Sequence, residues 1–295
     1  MAQITIKNPI VDGWMADPEA RWYEGQCWIY VTHGRNNLTA FSSPDLMTWE
    51  KHENIIDMSG FSWIKNCVWA PTIINHNSKY YFIFASNNIQ SDDEYGGLEL
   101  AVSDNPAGPF KSVLEKPLIS KFINGAQPID AHLFRDDDGE IYLYYGGWGH
   151  CNVARMNESL TGFLPLDAAG TLFKEITPPK YVEAPCMLKK DGIYYFMWSK
   201  GAYGNASYGA LYCSSDSPLG PFDTDSPLLV SQPPVAEGPG HHGYLYYEPL
   251  DQWLAVYHRR YLDDPGIYHR MLCIDKMSFN NGKMDTVIMT NEWSM

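Results

Sequence analysis

Three acidic residues stand in short segments rich in Pro, Ala and apolar neighbours: Asp17 in Ala16-Asp17-Pro18-Glu19-Ala20, Asp130 in Pro128-Ile129-Asp130-Ala131-His132, and Glu183 in Tyr181-Val182-Glu183-Ala184-Pro185. Carboxyl groups in such surroundings can move protons. One that is ionised draws a proton from water, while a second, still protonated, gives one to a departing oxygen. A pair set apart by the width of a water molecule is what hydrolysis of a glycosidic bond with inversion needs. A third carboxylate nearby raises the pKa of the acid by like-charge repulsion. Taken singly, each residue also has an ordinary structural use, because Asp before Pro starts turns and Asp caps them. The chemistry depends on a fold that brings all three together.

The elements that could do so are strands. Apolar and aromatic residues dominate Trp28 to Val31, Tyr80 to Phe84, Ile141 to Tyr145, Ile193 to Trp198 and Trp253 to Tyr257, and each run follows a turn-forming stretch such as Asn75-His76-Asn77-Ser78 or Lys190-Asp191-Gly192. No segment sustains a helical period, so the chain reads as all-β. Before each aromatic run lies a first strand with a Pro- or Gly-containing opening. The openings fall at Ala16-Asp17-Pro18, Trp69-Ala70-Pro71, Pro128-Ile129-Asp130, Glu183-Ala184-Pro185 and Gly238-Pro239-Gly240-His241-His242. Two units run on into near-copies, Ser103-Asp104-Asn105-Pro106-Ala107-Gly108-Pro109-Phe110 and Ser215-Asp216-Ser217-Pro218-Leu219-Gly220-Pro221-Phe222. A recurrence of roughly 50–60 residues matches a four-stranded propeller blade. Five such blades account for residues 1–295 as a single-domain, five-bladed β-propeller.

In a propeller the innermost strands line a central channel. The openings, with Asp17, Trp69, Asp130, Glu183 and His241, then converge at one mouth. Trp148, in Gly146-Gly147-Trp148-Gly149, is placed at its rim. The run Asp136-Asp137-Asp138, before Gly139, reads as a solvated hairpin loop and not as a metal site.

Composition narrows the partners. Aromatic residues make up 14% of the chain, and Lys plus Arg number 21 against 35 Asp plus Glu, a formal charge of −14. So acidic a surface speaks against nucleic acid, whose phosphates need a basic face. The apolar run Tyr80 to Ala85 falls far short of the ~20 residues of a membrane-spanning helix. The first residues, Met1 to Lys7, show no basic segment followed by an apolar stretch, so a cytoplasmic location is expected, although a trimmed leader would leave the same start. Six cysteines without CxxC spacing read as reduced, buried small hydrophobes.

The five openings, taken in order over nearly the whole chain, resemble the signature segments of glycoside hydrolase family 43. That resemblance implies a five-bladed propeller that hydrolyses arabinosides and xylosides with inversion. It also implies that Asp17 is the general base, Glu183 the general acid, and Asp130 the residue that tunes the acid and orients the sugar. Trp69 would stack on the sugar face and Arg270, in His269-Arg270-Met271, would bind its hydroxyls. Read from the residues alone, Trp69 serves equally as core, and Arg270 could pair with any acidic neighbour. His241 matches a channel histidine that directs a bound Ca²⁺ or its water shell, against the alternative of a histidine simply hydrogen-bonded in the channel, because Ca²⁺ prefers oxygen ligands. The opening Ala-Asp-Pro-Glu-Ala is closer to α-L-arabinofuranosidases, so the expected activity is exo-acting release of arabinofuranose from oligosaccharides. A β-xylosidase or exo-arabinanase is the alternative within the family, and a carbohydrate-binding propeller without catalysis is the alternative outside it.

Overall fold

Each aromatic run forms the second strand of an antiparallel sheet in the computed structural model, which describes residues 4–295. Blade one comprises Ala16–Tyr23, Gln26–Thr32, Leu38–Ser43 and Glu50–His52, and blade two Trp69–His76, Lys79–Ser86, Gly97–Ser103 and Lys111–Ser112. Blade three comprises His132–Arg135, Ile141–Tyr145, Asn152–Met156 and Phe163–Leu164, with Phe173–Glu175 as an additional partner of the third strand. Blade four is built from Glu183–Lys190, Ile193–Lys200, Gly209–Ser215 and Ser226–Leu229, and blade five from Gly243–Tyr247, Gln252–Arg259 and Met271–Lys276. The only helical elements among the described residues are the 3₁₀ turns Met58–Gly60 and Glu248–Leu250. None of the helices is long and apolar enough to cross a membrane.

The second strands are apolar on both faces because each sheet is covered on both sides by its neighbours. The two near-copies show how this packing repeats. Phe110 stacks on Phe82 and Phe222 on Phe196, each at 4.5 Å between ring centroids. Tyr30 donates its hydroxyl to the Pro106 carbonyl, and Tyr144 does the same to Pro218, both at 2.8 Å. The stacks lie within blades two and four, and the tyrosine hydroxyls clamp blades one and three to them by the same contact. All six cysteines are free and buried within these layers.

Blade five departs from the expected four strands. Its outer edge is completed by residues 10–15 from the other end of the chain: Ile10 N–H donates to Leu272 O, Leu272 N–H to Val11 O, Arg270 N–H to Gly13 O, and Met15 N–H to Arg270 O. Thr5–Lys7 also pairs with Glu292–Ser294 outside the blades. Local sequence could not reveal this, because the completing strand lies one whole circuit away. The acidic run 136–138 is also corrected in part. It does form the turn between the first two strands of blade three, but Asp136 is only 7% exposed and binds Lys189 Nζ and the Tyr194 hydroxyl, both at 2.6 Å, as a pin between blades three and four.

Candidate active site

Every blade opening contains one non-glycine residue in the left-handed backbone region: Asp17 (φ 54), Ala70 (φ 50), Asp130 (φ 55), Ala184 (φ 59) and His241 (φ 38). For residues other than glycine this conformation costs ~1–2 kcal/mol each, and it recurs where the innermost strand enters its sheet. In blades one, two and four the strand register shifts at that point, between Ala16 and Glu19, Trp69 and Thr72, and Glu183 and Cys186. Such a bulge turns the side chains beside it away from the sheet and into the channel mouth. The three carboxylates therefore do not share one repeat position. Asp17 and Asp130 are themselves the left-handed residues, whereas Glu183 precedes Ala184, as Trp69 precedes Ala70.

Neighbouring blades hold these openings in place. The Ala70 N–H donates to Thr32 Oγ1 (2.9 Å) and the His241 N–H to Ser199 Oγ (2.8 Å), while the Asp17 N–H donates to His258 Nδ1 (3.4 Å), which joins blade five to blade one. Burial, helped by the charges of Arg270 and His241, pushes the His258 pKa well below its ordinary value, so that nitrogen remains an acceptor.

The side chains converge. Thr32 donates its hydroxyl to Asp17 Oδ2 at 2.8 Å, and Arg270 Nη1 stands 3.6 Å from Asp17 Oδ1. His241 Nδ1 is 3.3 Å from both Asp17 Oδ1 and Asp130 Oδ2. Burial works against a charge on His241, but the two aspartates overcome it and lift its pKa to about 9. Glu183 receives a hydrogen bond from the Tyr208 hydroxyl on Oε1 at 2.8 Å. Burial first, and the negative charge of Asp130 second, raise the Glu183 pKa to about 7. One carboxyl of the three is thus kept protonated near neutrality.

These groups form the floor of a cavity of ≈ 280 Å³ that also contains Trp69, Asn88, Gln127 and Ile129 in its wall. That volume lies at the small end of ligand pockets, which run ~300–1,000 Å³. Trp14, Tyr203, Tyr268 and Trp148 line its outer part. Trp14 stacks on Tyr268 at 4.4 Å, the Arg270 guanidinium lies over the Tyr203 ring at 5.1 Å, and Trp148, 54% exposed, is backed by Phe122 at 4.9 Å. Flat aromatic faces beside carboxylates and amides suit the alternating apolar and hydroxylated surfaces of a sugar.

The model of the glycosyl hydrolases family 43 matches residues 6–284. The chain belongs to this family. A β-D-galactofuranosidase of Aspergillus niger is 40% identical to it over 288 residues, which cover 92% of this chain and 82% of the relative. Among solved structures, a thermostable family-43 glycoside hydrolase superposes with a TM-score of 0.81 at 26% identity, covering 97% of this chain and 96% of the other. An α-L-arabinofuranosidase from Clostridium thermocellum superposes with a TM-score of 0.77 at 29% identity, covering 94% of each. The family-43 chain is therefore a glycoside hydrolase.

All six site residues expected from the sequence, Asp17, Trp69, Asp130, Glu183, His241 and Arg270, line this one cavity. His242 does not. Its ring is buried against Met197 Sδ, and burial drops its pKa to about 3. For the Ca²⁺ that the family resemblance brings forward, the donor set is a poor fit. His241 presents a nitrogen, Nδ1, that is already taken up by two carboxylates, whereas Ca²⁺ takes about six to eight oxygen ligands. Among the described residues no group of three or more His, Cys, Asp and Glu side chains is placed to hold a metal. Sequence reasoning missed Trp14, Tyr203, Tyr208 and Tyr268, which reach the site from loops or from the opposite end of the chain and carry no repeat signal.

Proposed function

We propose that this family-43 hydrolase removes terminal furanosyl residues from oligosaccharides with inversion, acting on α-L-arabinofuranosides such as those carried by arabinan and arabinoxylan fragments. The observation that carries the reading is the set of three carboxylates from three blades, one with its pKa raised to about 7, on the floor of a small aromatic-walled cavity.

In this reading Asp17 is the general base. Thr32 fixes one of its oxygens, and Arg270 and His241 flank the other, so that the carboxylate is aimed at water beside the anomeric carbon. Glu183 is the general acid, protonated up to about pH 7, and gives its proton to the glycosidic oxygen as the bond breaks. Asp130 supports Glu183 through its charge and anchors His241, whose positive charge separates the two aspartates. Trp69 offers a face to the sugar, and Arg270 offers donors to its hydroxyls.

A second reading, β-D-galactofuranosides, is favoured by the Aspergillus niger relative. The two substrates have the same configuration at the ring carbons and differ by one hydroxymethylene unit in the exocyclic arm. A single furanose site can therefore serve either.

A panel of 4-nitrophenyl α-L-arabinofuranoside, β-D-galactofuranoside and β-D-xylopyranoside tests the proposal, with proton NMR of the first-formed sugar. Cleavage of the furanosides with release of the inverted anomer is expected. Preference for the xylopyranoside overturns the furanoside assignment, and retention overturns the roles of Asp17 and Glu183.

A further inference from the structure

Tyr208 stands just before the third strand of blade four and is 1% exposed, yet its hydroxyl reaches the cavity floor to donate to Glu183 Oε1 at 2.8 Å. Glu183 Oε2 has no partner among the described residues. Three features show a position built for this contact. At the residue preceding the left-handed one, four openings have a side chain (Ala16, Trp69, Ile129 and Glu183), but blade five has Gly240. A Cβ at Gly240 would lie 2.2 Å from Tyr208 Cε1, so glycine there makes the room that the ring occupies. The Tyr208 ring is also stacked with that of His258, at 5.9 Å and 19°, and His258 is the acceptor of the Asp17 N–H.

We infer that Tyr208 is a positioning residue for hydrolysis, holding Glu183 so that its transferable proton resides on Oε2. The inference rests on the reading of Glu183 as the general acid. A hydroxyl that donates to Oε1 occupies that oxygen as an acceptor and leaves the other oxygen to carry the proton. Burial and the charge of Glu183 keep the Tyr208 hydroxyl protonated well above its ordinary pKa, so it remains a donor throughout the working range. The shared packing on His258 ties the orientation of the acid to the strand entry that carries Asp17.

The test is Tyr208→Phe, which retains the ring and removes only the hydroxyl. On arabino-oligosaccharides, whose leaving groups need a proton, kcat should fall about tenfold or more, because the carboxylate that forms as the proton leaves loses its hydrogen-bond donor. On 2,4-dinitrophenyl α-L-arabinofuranoside kcat should be almost unchanged, and KM should hold for both. The basic limb of the pH profile should move to higher pH, because the ionised carboxylate loses a donor. Gly240→Ala, which displaces the same ring, should show the same selectivity between leaving groups. Equal losses on both substrates with an unmoved basic limb reduce Tyr208 to a packing residue and overturn the inference. A wild-type protein inactive on every furanoside and on the xylopyranoside overturns the underlying functional reading, and the inference with it.

Discussion

The channel contains two charged clusters on the same innermost strands. At the mouth are Asp17 and Asp130. Two residues further along each strand are Glu19 and His132, and these form the second cluster with Arg21. In the inner cluster Glu19 is paired with Arg21, and its other oxygen faces His132 Nδ1 at 3.5 Å. Arg21 further donates to the Leu133 carbonyl, and His132 Nε2 donates to that of Met187. Those charges are matched among themselves, and they tie blades one, three and four together. At the mouth three carboxyl groups face one histidine and one arginine. Burial, with the negative charge of Asp130, raises the Glu183 pKa, and the two aspartates raise that of His241 against burial. The lesson is that buried charge alone does not mark a catalytic site. Groups whose proton affinities are shifted beside an open cavity do.

Substitutions in the two clusters should therefore fail in different ways. The largest effect belongs to Asp17→Ala, which removes the proposed base. Rates on activated and unactivated glycosides alike should fall ~10³–10⁴-fold while the melting temperature holds. Glu183→Ala should cost ~10²–10³-fold on oligosaccharides and far less on dinitrophenyl glycosides, which need little proton donation. An equal loss on both would count against the acid assignment. Within the inner cluster, Glu19→Gln should leave Arg21 buried without its partner and destabilise the protein by ~3–5 kcal/mol in denaturant melts, while kcat per folded molecule stays close to wild type. If kcat instead collapsed with stability intact, the contrast between the clusters would be broken.

The smallest shift is the most diagnostic. Asp130→Asn removes a negative charge beside both Glu183 and His241. Glu183 then ionises at lower pH, so the basic limb near pH 7 should move acidward by about one unit, a difference of ~1.4 kcal/mol. The pKa of His241 should fall from about 9 as well, readable by NMR of its ring protons. A basic limb that stayed in place would remove Asp130 from its tuning role.

Much of this was legible in the chain. The aromatic second strands carried their own boundaries, because each begins after a polar turn and is covered on both faces by adjacent blades. The openings were legible as a recurrent segment, and Asp17 directly before Pro18 and Glu183 two residues before Pro185 already stand one residue apart, but the left-handed backbone at Asp17 and Ala184 that gives this offset its meaning was not legible. Asp136 looked solvated because its partners, Lys189 and Tyr194, belong to the next blade. The rim was the least legible part. Trp148 was placed there from the sequence, but Trp14, Tyr203 and Tyr268 sit on segments whose positions are set by the completed ring and not by a local period.

The strand supplied by residues 10–15 has a temporal consequence. Asp12 touches His269 across 257 positions of sequence, and Trp14 reaches the cavity wall only through that same seam. Contacts between such distant partners form late, after the entropy of closing the loop between them has been overcome. While a nascent chain is still being synthesised, four blades can stack on one another, yet Tyr268 and Arg270 are missing from the site. Sugar cleavage should thus switch on abruptly, as the final event of maturation, and the onset of turnover during refolding should report the moment at which the two ends of the circuit join.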